Sequence, residues 1–409
     1  MNPSPTSQTS RWDVFFSYGF RPFFLGASLH AALAMALWLA WIAIHAANGS
    51  LRWISIKGAV HVWHAHEMTF GFGMAAVAGF LLTAVPNWTG APPLTGTPLA
   101  RLFAIWLAGR LAMMMSAMLP ATLVAIVDLA FIPVLALHVT HQLFVRPQPR
   151  NMVFLAILGA LFLANVAYHL TAADLVTLDQ TAALRAAVLI LVLIIVIIGG
   201  RIVPSFTLNH LQRVRPEVAP PVRSALIDRA ALFSTLLFAV CAVTPVANWV
   251  VAIAAGAAAL ANGVRLAGWR GLETLPAPIV LVLHVGYLWI VIGLATWCLA
   301  ASTGLMSDVA AMHALSSGAI GTMTLAVMSR ASLGHTGRPL AAPPPIVLAY
   351  VLVSLAAAAR TFGSALVPAW YNAIMLVAGL LWITAFAAFA FVFLPILTAP
   401  RHTAATRPA

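Results

Sequence analysis

Residues 61–67 read His61-Val-Trp-His64-Ala-His66-Glu67, at the mouth of an apolar stretch long enough to cross a bilayer. Imidazole is a common ligand for metals and haem, and ionisable groups inside a membrane are costly enough to mark sites. On a regular helix His61 and His64 stand about 60° apart, as do His64 and Glu67, whereas His64 and His66 stand about 200° apart. One helix therefore cannot aim both His64 and His66 at the same ion. Either the helix begins after His64, or the pair serves two centres, or one of the two only supports a ligand. Glu67 is the candidate catalytic, proton-carrying group beside such a centre. Its alternative is a carboxylate paired with Lys57 or Arg52.

Other residues extend this chemistry. His313 is followed by Ser316, Ser317, Gly318 and Gly321, small groups that admit a neighbouring helix or a flat macrocycle. His169 lies towards the same face as His61, His64, His66 and His313. His284 and Tyr287 share a helix face, as a second-site ligand pair or as a buried donor and acceptor. Arg201 and Arg330 could hold haem propionates, a quinol headgroup or another anion through paired hydrogen bonds, or simply anchor helix ends. His335, in SLGHTGRPL, extends that inner cluster with Arg338. Met74 and Met113 to Met115 offer thioethers to copper(I) or, more ordinarily, packing. No CxxCH attachment motif occurs, so any haem is non-covalent, of b type.

The elements that must position these groups are membrane helices. The chain has 409 residues, 62% hydrophobic and 7% charged, against about 25% charged in soluble domains. Apolar runs fall near 22–46, 62–85, 99–118, 121–144, 151–170, 181–203, 228–245, 247–267, 277–301, 308–330, 345–367 and 371–396. They predict an all-α integral membrane protein of twelve transmembrane helices in one polytopic domain, 1–409, with a short N-terminal segment (1–20) and a C-terminal tail (398–409). The formal charge of +12 fits the positive-inside rule rather than nucleic-acid binding. Sixteen basic residues fall on one side, against Arg52, Lys57 and Arg185 on the other, with Arg110 and Arg360 inside spans. Both termini are thus expected in the cytoplasm, and the polar start, MNPSPTSQTSRWD, predicts no cleaved signal peptide. Cys241 and Cys298 both fall in apolar spans, which leaves no disulfide framework.

A weak repeat runs through the even helices. A shift of 118 lays Val85-Pro86 on Val203-Pro204, Trp88 on Phe206 and Thr89 on Thr207. A shift of 247 lays His66 on His313, Gly71 on Gly318 and Thr89-Gly90 on Thr336-Gly337. Both shifts send Thr83 to an arginine, Arg201 or Arg330. Chance similarity among apolar helices is one explanation. The other is a pseudo-threefold arrangement of four-helix units around the second, sixth and tenth helices, resembling haem–copper oxidase subunit I at the level of fold.

The segments GFRPFFLGA (19–27), WHAHEMTFGF (63–72), AGFLLTAVPNWTG (78–90), GGRIVPSFT (199–207) and GAIGTMTLAVMSRASLGHTGRPL (318–340) resemble the NnrS family over nearly the whole chain. That resemblance implies a haem- and copper-containing protein of the bacterial inner membrane, associated with the response to nitric oxide. Residue by residue it supports His64, His66, Glu67, Asn87, Arg201, His313, Arg330 and His335, and less firmly His284 and Tyr287. The leading expectation is a redox enzyme that binds nitric oxide and reduces or detoxifies it, with a quinol or other electron donor. The alternative is a transporter or metal-handling protein that protects against nitrosative stress without turnover. The expected haem b sits near the outer face, on His313 and one of His64 or His66, with His66 the first choice because the repeat pairs it with His313 at one depth. The other of His64 and His66 is left for copper, with His61 or His169.

Overall fold

The structure, a computed structural model, describes residues 10–49, 55–177 and 179–402. Arg52 and Arg407, counted in the charge asymmetry, lie outside these residues, as do the extreme parts of both terminal segments. Every apolar run forms a helix: α1 (Phe20–Ala46), α2 (Val60–Thr89), α3 (Gly96–Met114), α4 (Ala121–Val145), α5 (Pro149–Ala172), α6 (Gln180–Val214), α7 (Ala225–Val243), α8 (Asn248–Ala267), α9 (Pro278–Thr303), α10 (Asp308–His335), α11 (Pro344–Leu366) and α12 (Tyr371–Leu397). No strand occurs among the described residues. Apolar surroundings leave the backbone no partner but itself, so helices are the economical solution for such runs. Eleven of the twelve are long and apolar enough to cross a membrane. The exception is α3, whose 19 residues include Arg101 and Arg110.

Local chemistry sets the helix ends. Asp179, Ser224 and Ser307 accept backbone N–H groups of the first turns of α6, α7 and α10, the usual N-cap arrangement. Gly90 and Gly304 stop α2 and α9 in the left-handed conformation, at φ 74° and 69°, where a Cβ would be strained.

The bundle is not uniformly buried. The most apolar window of α2 is 78% buried, and those of α6, α9 and α10 are 67% buried, against 22–39% for the remaining spans. The expected central helices α2, α6 and α10 are therefore in the core, joined by α9. Two of them share a local irregularity. Residues Glu67–Gly73 of α2 and Ala314–Gly321 of α10 form π-helical segments. These begin 247 residues apart, directly after His66 and His313, which is the offset the sequence repeat proposes for the two helices. A third π-segment, Ala359–Gly363, interrupts α11 and carries Arg360. Widened turns of this kind re-aim side chains and are frequent at functional sites. α6 packs against the π-segments of both α2 and α10.

Candidate functional site

The densest polar cluster lies in the half of the bundle remote from the arginine-rich helix ends. Its components come from α1 to α5. His66 and Glu67 sit where α2 passes into its π-segment, Arg110 is on α3, and Asp128 is on α4. Asn165 and His169 stand four residues apart on one face of α5, and His30 is on α1. His66, Glu67 and Asp128 are 0%, 1% and 2% exposed, so their charges must be balanced from within the protein.

Arg110 does part of this. Its Nη1 donates to Glu67 Oε1 at 2.6 Å, and its Nη2 donates to Asp128 Oδ1. The far oxygen of each acid faces a histidine, and Glu67 Oε1 is shared between Arg110 and His66. Asp128 Oδ2 lies 2.9 Å from His169 Nε2 and 3.3 Å from His66 Nε2, and accepts from Asn165 Nδ2 at 2.8 Å. Glu67 Oε2 lies 3.0 Å from His30 Nε2. His30 can approach so closely because residue 71 is glycine: a Cβ there would collide with its ring.

Two acids and one guanidinium leave this site one positive charge short. The geometry of His66 expresses the deficit. Its Nδ1 lies 3.0 Å from Glu67 Oε1, and its Nε2 lies 3.0 Å from Asn165 Oδ1. Both ring nitrogens thus face oxygen acceptors, yet a neutral imidazole donates only one N–H. The site calls for a further cation, either a second proton or a metal ion. A donor set is present: one atom each from His66, Asp128 and His169 lies within 4.8 Å of the others. Two imidazoles and one carboxylate suit a first-row transition metal. Glu67 against His66 Nδ1 is the outer carboxylate that typically orients a ligating histidine. A vestibule of about 180 Å³ reaches this centre, with Lys57, Trp63, Ser116, Tyr168, His169 and Gln180 among its walls.

His64 points elsewhere, as the helical angle requires. Its ring stacks on Trp38 of α1 at 5.0 Å between centroids and 15° between planes, and its Nδ1 is buried without a hydrogen-bond partner. His313 and the guanidinium of Arg360 are its electrostatic neighbours. His313 Nδ1 donates to the carbonyl of Val309 at 2.7 Å, which leaves Nε2 available. His61 is exposed on the first turn of α2, one turn before His64, and is a further electrostatic neighbour of that ring.

The remaining sequence candidates are dispersed. His284 Nε2 lies 2.8 Å from Thr207 Oγ1. Tyr287 donates to Asn262 at 2.6 Å and accepts from Arg265 at 3.0 Å. The two therefore act as separate buried hydrogen-bonding groups and do not pair with each other. Arg201 donates to the carbonyl of Arg150 at 2.8 Å and to Asn151 at 3.3 Å. Arg330 lies over the ring of Phe206 at 3.9 Å. Asn87 donates to the carbonyl of Thr83 at 2.6 Å, and His335 stacks on Tyr18 at 5.8 Å. All six stand apart from both histidine centres.

Sequence reasoning missed Asp128 and Asn165 and left Arg110 unassigned. A signal existed: an acid and an arginine in consecutive apolar helices are each expensive alone, and so imply one another.

These features define a polytopic helical membrane protein with a buried histidine–carboxylate centre open to one end of the bundle. No curated protein matches the chain. The NnrS protein family does match, over residues 14–401, and the chain belongs to that family.

Proposed function

We propose that this protein is a haem and copper protein of the bacterial inner membrane that binds nitric oxide and reduces or otherwise detoxifies it. The observation that carries the reading is the buried His66–Asp128–His169 donor set, one cation short and backed by Glu67. In this topology α3 completes twelve spans, the arginine-rich ends and both termini face the cytoplasm, and the vestibule opens on the outer side. The coinciding π-segments of α2 and α10 support related four-helix units, with α6 at the core as a threefold arrangement needs.

The donor chemistry sorts the two cofactors. His66, Asp128 and His169 suit copper, reached through the vestibule. His64 and His313 each keep a ring nitrogen free, and Arg360 has no carboxylate partner among the described residues, which suits a haem b whose propionates need a cation. When bound, the metals supply the coordination sites at which two nitric oxide molecules, two electrons and two protons become nitrous oxide and water. The electrons come from a quinol or other donor. The protein's own residues orient and insulate. Glu67 is held by Arg110, His30 and His66, and it fixes the ring of His66 more readily than it could release protons. The open vestibule also fits the second reading, a metal-handling protein that protects without turnover.

Metal analysis and optical spectra of the purified protein, with and without nitric oxide, test the proposal. Haem bands that shift with nitric oxide, together with about one copper, are expected. His169→Ala should lose copper and keep the haem spectrum, whereas His313→Ala should alter it. A protein holding neither metal, or a spectrum indifferent to nitric oxide, refutes the reading. Metal uptake without quinol-driven nitric oxide consumption selects the second.

A further inference from the structure

A cavity of about 70 Å³ lies where α2, α6 and α10 meet. Its walls include Gly73, Ala76, Ile195, Gly199, Ile320 and Met323, and Thr324 supplies the one side-chain hydroxyl among all its lining residues. A stable internal water needs two to four polar partners, which these walls do not provide, and apolar cavities of this kind stay dry and accept apolar guests such as xenon. The pocket is partly open, since Val77, Phe80, Ile202 and Val327 on its walls are only half-buried, so a lipid acyl chain is the occupant that competes with a small guest. The space has room for a xenon atom or a diatomic gas, which needs only dispersion contacts with methyl, aryl and thioether groups.

Its placement is specific. Gly73 and Ile320 each lie seven residues beyond a histidine of interest, His66 and His313. An α-helix would put the cavity about 10 Å inward of both, and the wider π-turns shorten that distance. The two π-segments span those intervals, and α6 closes the third side. The cavity thus stands one π-segment inward of each histidine centre, along the helices that carry them.

We propose that this cavity is a binding site for a small apolar gas, held in the bilayer core inward of the two centres. The binding claim stands on the cavity alone. That the physiological guest is nitric oxide, which partitions into hydrocarbon, rests on the functional reading above.

Xenon is the probe, applied to the full-length protein by pressurising crystals or by xenon NMR in lipid nanodiscs. One xenon site is expected between α2, α6 and α10. It should vanish in Ala76→Phe and in Thr324→Phe, which fill the space from different helices. If one variant fails to fold, the other and the wild type still decide. Absence of xenon from the wild-type cavity, a lipid or detergent chain lying in it, or full xenon occupancy in a folded filled variant would each overturn the proposal. Xenon binding in a protein that ignores nitric oxide would leave the site standing and remove only the functional reading.

Discussion

Replacing Arg110 by Met tests the charge balance of the histidine–carboxylate centre most directly. The side chain stays long and apolar while the guanidinium bridging Glu67 and Asp128 is lost. Each contact is worth about 4 kcal/mol at an effective dielectric constant near 20 and a charge separation near 4 Å. Much of that is offset by the cost of burying the charges. Removing one partner of a buried ion pair nevertheless typically costs about 3–5 kcal/mol, because the remaining charge stays buried without compensation. At about 2 °C per kcal/mol for a large chain, the melting midpoint should fall by about 6–10 °C. Since membrane proteins unfold irreversibly, the midpoint should be compared at one scan rate. Arg110→Met with Glu67→Gln should recover part of the loss, with a coupling energy of about 1–3 kcal/mol. Added copper(II) should raise the midpoint of Arg110→Met more than that of the wild type, because the variant's site is richer in negative charge by one unit. A midpoint within a degree of the wild type, or a double variant no better than the two losses added, would refute the charge argument.

Three further outcomes follow from the same geometry. Gly71→Ala should lower stability by about 1–3 kcal/mol through overpacking; because its Cβ would meet the His30 ring, His30→Ala in the same chain should relieve most of the loss, measured by thermal unfolding. Asp128→Asn should sharply reduce copper content at unchanged haem content, read by metal analysis, since it removes the carboxylate between His66 and His169. At the start of α6, hydrogen bonds from Thr181, chiefly, and the charge of Arg185 hold the carboxyl of Asp179 below its usual value, against a small opposing cost of burial. Its cap therefore stabilises above the ordinary carboxylate range and fades as pH falls through the depressed value, so Asp179→Ala should cost about 1 kcal/mol at neutral pH and progressively less as the solution is acidified.

The amino-acid sequence foretold the helices well, because a run of Leu, Ile, Val and Ala with Pro- and Gly-rich breaks has few alternatives in a membrane. It also foretold the divergence of His64 and His66, which rests only on 100° per residue, and the two rings indeed join different neighbourhoods. The partners of His66 were hidden. Asp128 is the one acid of α4, ten or more residues from that helix's histidines, and Asn165 and His169 come from α5, so no local pattern joins them. The π-segments were equally hidden. An inserted residue in a turn leaves no signature of residue type, and it shows only when two helices are found to share it at one offset.

The bridge built by Arg110 also bears on how the chain enters the membrane in the first place. An arginine at a helix centre costs about 2.5–3.5 kcal/mol at the translocon; Arg110, four residues from the end of α3, costs less, but α3 also carries Arg101 and is the one helix of the twelve not apolar enough to cross unaided. Glu67 is made before Arg110 and Asp128 shortly after it. Thus α3 leaves the insertion machinery with one acidic partner in place and its second only 18 residues behind. Lateral release of α2, α3 and α4 as a group, rather than one at a time, is the arrangement that keeps the guanidinium from facing lipid alone. In that order of synthesis the bridge that joins α2, α3 and α4 is complete only once residue 128 has been made.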